Sequence, residues 1–450
     1  MRRVVDRLVR LIAKTAIFGW FRSLEVEGME RFPGVGPVVI VAPHFNGFVD
    51  PALLAATLPR MPRFLGMSTL WKVPGLGPVL TFVGAVPVYR ASEGSTERNK
   101  GTFDACHHVL REGGAIAIFP EGTVNARYRL LPLKTGAARI ALGARAAGVR
   151  GVRVVPVGTI FEDRSAIRSR AVVRVGEPID LDGDIRSFVG EGEDEGETNH
   201  RAVDRLTEEI QARLQAVTVD FDDAEEALAF DFAARVAIRD PLGSPRFEVP
   251  MAAAWPLAGR VERAEPAERA SVLAAAEKYQ AHLDLLGLDD RDVVPGNTEK
   301  RFLRRYRSRA ARFAAAAPFA SVGAAVNLAP AFAVHEIGKR IKTGMGQATP
   351  KLLASIALFP LTWLGLALWL RARGTRHPWV TALAAGPGCG WATLYAFERW
   401  DKNRRDIDAW GRLRRSRGAL DELRIQRSAV VSAVEAAATH LAPSSPATGS

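Results

Sequence analysis

Between Leu24 and about Ile179, short β-rich runs alternate with helical ones, and this alternation constrains the fold of the 450-residue chain more than any other feature. "GPVVIVAP", "GAVPVYR", "GGAIAIFPEG", "VRVVPVGTI" and "AVVRVGEPI" read as strands, with "STERNKGTFDACHHVLREGG" and "KTGAARIALGARAAG" as helices between them. Strands joined by helix-length crossovers pair in parallel, and parallel sheets are buried, so the expected fold is α/β with a largely parallel central sheet. Sites in such domains collect beyond the carboxyl ends of the strands. The unusual residues fall there: His44 follows one strand, Arg90 ends the next, and Glu121 follows "AIAIF".

The loop "APHFNGFVDP" (42–51) carries the first candidate chemistry. "DPALLAATL" after it reads as a helix with Asp50 at the N-cap and Pro51 at the first helical position, so His44 and Asp50 share one strand-to-helix loop. A carboxylate on one imidazole nitrogen fixes the tautomer and stabilises the imidazolium, so the other nitrogen can take a proton from a substrate hydroxyl without any nucleophilic serine. Alone, the pair also fits a structural histidine beside a capping aspartate. The other loops argue for chemistry. Arg90 is placed for two-point contact with a phosphate, Glu121, Gly122 and Thr123 form a turn after a buried strand, and Lys134 precedes a helix whose amino end suits anions.

Composition narrows the rest. A net charge of +12 points to an anionic partner: nucleic acid, anionic lipid or a phosphorylated substrate. Because the basic residues lie largely beside apolar stretches, nucleic acid is not the expected partner. Two cysteines, Cys106 and Cys389, make neither a disulfide framework nor a zinc site; both read as buried thiols in a reducing compartment, and no metal is expected. Residues 1–24 mix basic and apolar residues at helical spacing and read as an amphipathic helix on a membrane surface. Residues 25–215 form the α/β domain and 216–312 a helical region. An apolar segment of two or three helices over 313–400 precedes a basic helix and disordered tail over 401–450.

Within that segment three uncharged stretches, 314–334, 352–370 and 379–397, approach the roughly 20 residues needed to cross a bilayer. "LLASIALFPLTWLGLALWL" is the strongest, "WVTALAAGPGCGWATLYAF" has a broken centre, and "AAAAPFASVGAAVNLAPAFAV" is mostly alanine with two prolines and an asparagine. If the second and third form a hairpin, the basic clusters "GKRIK" and "RWDKNRR" share a side, which puts the α/β domain in the cytoplasm.

Four blocks in order, "PHFNGFVDP", "GAVPVYR", "FPEGT" and "VVPVG", resemble those of the glycerolphosphate and acylglycerolphosphate acyltransferases of phospholipid synthesis. "LLPLKTGAARIAL", "FEDRSAIRSRAVVRVGEPI" and "APFASVGAAVNLAP" further resemble the subgroup acting on glycerol 3-phosphate or dihydroxyacetone phosphate. The resemblance implies His44 as general base, Asp50 as its orienting partner, Arg90 and Glu121 as substrate-binding residues and Gly122 as a site-shaping one. Thr123, Lys134 and Arg170 join the expected substrate site, and backbone amides near Gly122 are the expected oxyanion donors. The implied reaction moves a fatty acyl group from acyl-coenzyme A or acyl carrier protein to glycerol 3-phosphate, with no cofactor beyond that co-substrate. The alternatives are a monoacylated acceptor and a non-catalytic lipid-binding or scaffold relative. Five residues separate His44 from Asp50 where the family's usual spacing has four; Gly47 can absorb the extra one as a bulge, and the subgroup carries a similar "HPNxxxDP" arrangement.

Overall fold

Val38–Val41, four fully buried apolar residues in a row, form the strand at the middle of an eight-stranded sheet, as expected of a chain segment covered on both faces. The computed structural model describes residues 2–73, 75–89, 96–125, 129–164, 166–218, 221, 223–242, 249–294, 299–340, 348–400 and 418–439. The strands are β1 (Phe21–Glu27), β2 (Val38–Val41), β3 (Arg63–Met67), β4 (Val86–Val88), β5 (Ala115–Ile118), β6 (Arg153–Phe161), β7 (Ser169–Val175) and β8 (Ile179–Asp180). Their order is β1-β7-β6-β2-β5-β3-β4, with β8 on β6. All pairings are parallel except β6 with β7 and with β8, so the largely parallel α/β sheet read from the sequence is the fold.

Helices α1 (Arg2–Trp20), α2 (Val49–Thr57), α3 (Leu76–Val83), α4 (Thr96–Arg111), α5 (Gly136–Ala146), α6 (Leu181–Phe188) and α7 (His200–Val217) accompany the sheet. The amphipathic helix expected over 1–24 stops at Trp20. From Phe21 the chain is the edge strand β1, running parallel to β7, with an irregular register between Phe21 and Ser23. α1 carries two apolar stripes. Ala13, Ile17 and Trp20 are buried in the core shared with α2 and β2, while Val4, Leu8, Leu11 and Phe18 stay exposed at a second helical spacing. Asp6 ties α1 to β3 through a two-point pair with Arg63 at 2.8 and 3.0 Å.

On α4, Cys106 is fully buried, and loss of water raises its thiol to about 12. At pH 8 the native protein is therefore expected to leave Cys106 unalkylated by iodoacetamide over an hour, with full labelling after denaturation, read by mass spectrometry. Cys389, expected to be buried, is only partly so.

Residues Met1–Asp222 and Ile341–Leu352 make up this first compact unit. The second, Asp223–Arg340 with Leu353–Ser450, is helical. In it α8 (Ala224–Leu242), α9 (Met251–Glu262), α10 (Pro266–Leu286) and the short α11 (Asp290–Val293) precede α12 (Glu299–Arg340). Then come α13 (Ala348–Ala372), whose first turn belongs to the α/β unit, α14 (Pro378–Leu383), α15 over 389–400 and α16 (Ala419–Thr439). Phe230, Trp255 and Tyr279 fill the core of α8, α9 and α10. Buried Asp290 accepts from the Tyr279 hydroxyl at 3.0 Å and Arg427 Nε at 2.9 Å and pairs with Arg239, so one buried carboxylate serves two guanidinium groups.

Two helices among the described residues, Arg307–Arg340 and Ala348–Ala372, are long and apolar enough to cross a membrane. The stretch 379–397 instead runs through a π-turn at Ala384–Gly388, where Pro387 lacks an amide hydrogen. The asparagine that seemed out of place in the alanine-rich stretch has a clear role. Asn327 Nδ2 donates to Gly323 O (2.9 Å) and Gly386 O (3.0 Å), and its Oδ1 accepts from Trp363 Nε1 at 2.8 Å, joining α12, α13 and the π-turn.

Candidate active site

β2 and β5 pair in register, Val41 beside Ile118, and the Ala42 amide still donates to Ile118 O at 3.2 Å beyond the last paired residues. The loops that leave these neighbouring strands therefore emerge side by side. One carries His44 and Asp50, the other Glu121, and their adjacency follows from strand order alone.

His44 Nδ1 lies 2.9 Å from Asp50 Oδ2. Asp50 is fully buried, while the histidine side chain keeps 20% of its surface exposed, so the pair joins a hidden carboxylate to a reachable ring. The expected N-cap role of Asp50 is not what the structure shows: α2 begins at Val49, after Phe48, and Asp50 sits in its first turn. Its Oδ2 also accepts the Asn46 amide at 2.7 Å, so the carboxylate closes the loop on itself instead of capping the helix. Gly47 takes φ +50, the left-handed turn expected to absorb the extra residue between the pair. The imidazole stacks on Phe119 at 4.2 Å between centroids and 15° between planes, which fixes the ring's plane. With Nδ1 donating to Asp50, Nε2 is the basic nitrogen.

Glu121 has a different part from the substrate contact the resemblance implies. It is buried, its Oε1 accepts the His44 amide at 2.9 Å, and its Oε2 accepts Asn125 Nδ2 at 2.9 Å and the Leu131 amide at 3.1 Å. Burial raises its pKa above the ordinary carboxylate range, and the bonds from His44, Leu131 and Asn125 oppose that shift. Both oxygens are committed to the two loops, so Glu121 braces the site from inside.

Gly122 has φ +67, and a Cβ there would lie 2.7 Å from Lys134 Nζ. The lysine therefore lies directly over the glycine, just before α5. The Gly122 amide is taken by Phe119 O at 3.0 Å, which occupies the donor expected for an oxyanion. Thr123 is exposed in the same loop. Arg170 is brought to a different partner: it is buried on β7 with Nε 3.2 Å from Glu162 Oε1, a carboxylate it shares with Arg22. That ion pair, and not a phosphate clamp, is its observed contact. Arg90 lies outside the described residues.

Three further residues complete the arrangement. Asn46 Nδ2 donates to Arg164 O at 2.8 Å, Arg164 NH1 donates to Asn125 O at 3.2 Å, and the Asn125 amide donates to His44 O at 2.6 Å. Arg164 also stacks over Phe45 at 4.3 Å. The loop after β6 is thus bound to both site loops. Asn46 and Asn125 sit within the blocks "HFNGFVD" and "FPEGTVN", but nothing in either block shows that their partners come from a third loop.

Residues 23–160 match the family described as Acyltransferase. The chain is 37% identical over 149 residues to glycerol-3-phosphate O-acyltransferase 2 of Saccharomyces cerevisiae, covering 32% of this chain and 19% of that protein. It is 27% identical over 293 residues to glycerol-3-phosphate O-acyltransferase 1 of the same yeast, covering 46% and 38%. A chloroplastic 1-acyl-sn-glycerol-3-phosphate acyltransferase of Brassica napus is 25% identical over 33% of this chain and 40% of its own length. The matched regions thus span 19% to 40% of these relatives' lengths. The His44–Asp50 loop, its Glu121 brace and Lys134 over Gly122 all fall inside the residues that match the Acyltransferase family.

Proposed function

We propose that the chain transfers a fatty acyl group from an acyl thioester, acyl-coenzyme A or acyl carrier protein, to a hydroxyl of glycerol 3-phosphate. The observation that carries this reading is the 2.9 Å contact between His44 Nδ1 and the buried Asp50 carboxylate, in the family's first motif. His44 Nε2 takes the acceptor's hydroxyl proton, and the oxygen bonds to the thioester carbonyl carbon. As the tetrahedral centre collapses the carbon–sulfur bond breaks, and the departing sulfur receives the proton from the imidazolium. The histidine ends as it began, no acyl-enzyme forms, and the thioester is a co-substrate with no separate cofactor.

By resemblance Arg90 holds the acceptor phosphate, and Lys134, over Gly122, is a further cation for it. The exposed stripe of α1, with Arg3, Arg7, Arg10 and Lys14 on the same helix, suits an anionic lipid surface, and α12 and α13 are apolar enough to enter a bilayer. The cytoplasmic placement of the α/β unit rests on a hairpin of stretches 352–370 and 379–397, whose outer flanks carry the basic clusters "GKRIK" and "RWDKNRR".

Gly122→Ala tests the lysine. The added methyl meets Lys134 Nζ and a left-handed backbone at once, so the KM for the phosphorylated acceptor is expected to rise about tenfold or more, the equivalent of roughly 1.4 kcal/mol. The reading as a whole is checked with membranes containing the protein, labelled acyl-coenzyme A or acyl carrier protein, and glycerol 3-phosphate or its monoacyl derivative. Product from glycerol 3-phosphate supports it. Product from the monoacyl acceptor alone moves the assignment to the second acylation, the activity in the Brassica relative's name. No acceptor-dependent product with either donor makes the chain a lipid-binding relative.

A further inference from the structure

Three backbone amides of the loop from His44 to Asp50 donate to side-chain acceptors. Glu121 accepts from His44 and Asp50 accepts from Asn46, both within the acyltransferase domain. The third partner comes from elsewhere: the Phe48 amide donates to Thr349 Oγ at 3.1 Å, 301 residues along the chain. Phe48 is the N-cap residue of α2, a helix with no side-chain cap of its own. Its amide lies outside the helical ladder and needs an acceptor from another segment.

Thr349 is built into this place. It is 2% exposed in the first turn of α13, and its neighbours Ala348 and Leu352 belong to the same buried core as Phe45, Val49 and Leu53. The rest of α13 is one of the two helices apolar enough to cross a membrane, so the residue that fastens the loop begins a segment suited to lipid. Phe48 follows Gly47, which turns the loop at φ +50. Ordering such a loop costs conformational entropy, and a partner fixed in the core limits the conformations it can visit.

We infer that Thr349 is a positioning residue of the proposed reaction: its hydroxyl holds the Phe48 amide and thereby keeps Asp50 and His44 in register. This rests on the reading of His44 as general base. The contact makes the base depend on the docked first turn of α13, which no residue of the acyltransferase domain supplies.

The test uses the full chain in detergent or membranes, as wild type, Thr349→Val and Thr349→Ser. Valine keeps the shape and removes the acceptor; serine keeps the acceptor. Expected are a tenfold or greater fall in kcat for Thr349→Val, KM values within about twofold of wild type, and near-wild-type kcat for Thr349→Ser. Equal losses in both variants, or an unchanged kcat in Thr349→Val, overturn the inference. Amide hydrogen exchange across 44–50 is read in parallel, and it does not depend on activity. Slow exchange at Phe48 in wild type that is lost in Thr349→Val and kept in Thr349→Ser supports the contact. Exchange at Phe48 as fast in wild type as at exposed Thr123 overturns it even if no variant folds. Absent acyl transfer by wild type, with Phe48 protected, would instead count against the proposed function alone.

Discussion

Replacing His44 with alanine is expected to leave a folded protein whose acyl transfer falls by about 10²- to 10⁴-fold, the usual contribution of a positioned general base. The ring is partly exposed and the site loops are held mainly through backbone groups, the His44 amide on Glu121 and the His44 carbonyl on the Asn125 amide, both of which survive the substitution. What is lost is the proton acceptor, together with one hydrogen-bond donor to Asp50, whose Oδ2 retains only the Asn46 amide. Initial rates measured beside a thermal melt separate the two effects. A fall in kcat with a melting temperature within a few degrees of wild type is the expected result, and a folded His44→Ala protein at full activity would remove the histidine from the mechanism.

Glu121→Ala is expected to damage both stability and activity, and this separates a brace from a substrate contact. Three donors, the amides of His44 and Leu131 and the Asn125 side chain, lose their acceptor at a buried position. Leaving a buried donor unpaired costs about 1–3 kcal/mol, so the total is about 3 kcal/mol or more unless water enters, against a typical domain stability of about 5–15 kcal/mol. Burial already disfavours this carboxylate, so its removal returns part of that cost, but not the three hydrogen bonds. A melting temperature lowered by several degrees, with kcat reduced at least a hundredfold, is the expected outcome. If Glu121 instead served the substrate directly, KM would rise while the melting temperature held, and titrating the acceptor distinguishes the cases.

These predictions show where local sequence was enough. The strand–helix alternation from Leu24 to Ile179 carried the parallel sheet because strand and helix periods are written in each segment's own side chains. β1 and β3 were not legible in this way: the first four residues of "FRSLEVE" were merged into the preceding helix, and "RFLGM" is only half-buried and carries no alternation to find. His44, Asp50, Gly122 and Lys134 were legible as motif residues, and the structure brings the first two together and lays the fourth over the third. Glu121 and Arg170 were legible as charges but not as braces, since a sequence shows that a charge is present and not which partner has already claimed it.

By itself, then, the sequence determined the class of sheet, the strand-end placement of the candidate base and carboxylate, and the apolar helices, all properties of short segments. Only the tertiary structure decided that Asp50 closes its own loop, that Glu121 faces inward, that Arg170 is committed to Glu162, and that Thr349 reaches Phe48 from 301 residues away. The physical reason is that periodicity is a local property, whereas a buried polar group takes whatever partner the packed chain brings within hydrogen-bonding distance, regardless of separation in sequence.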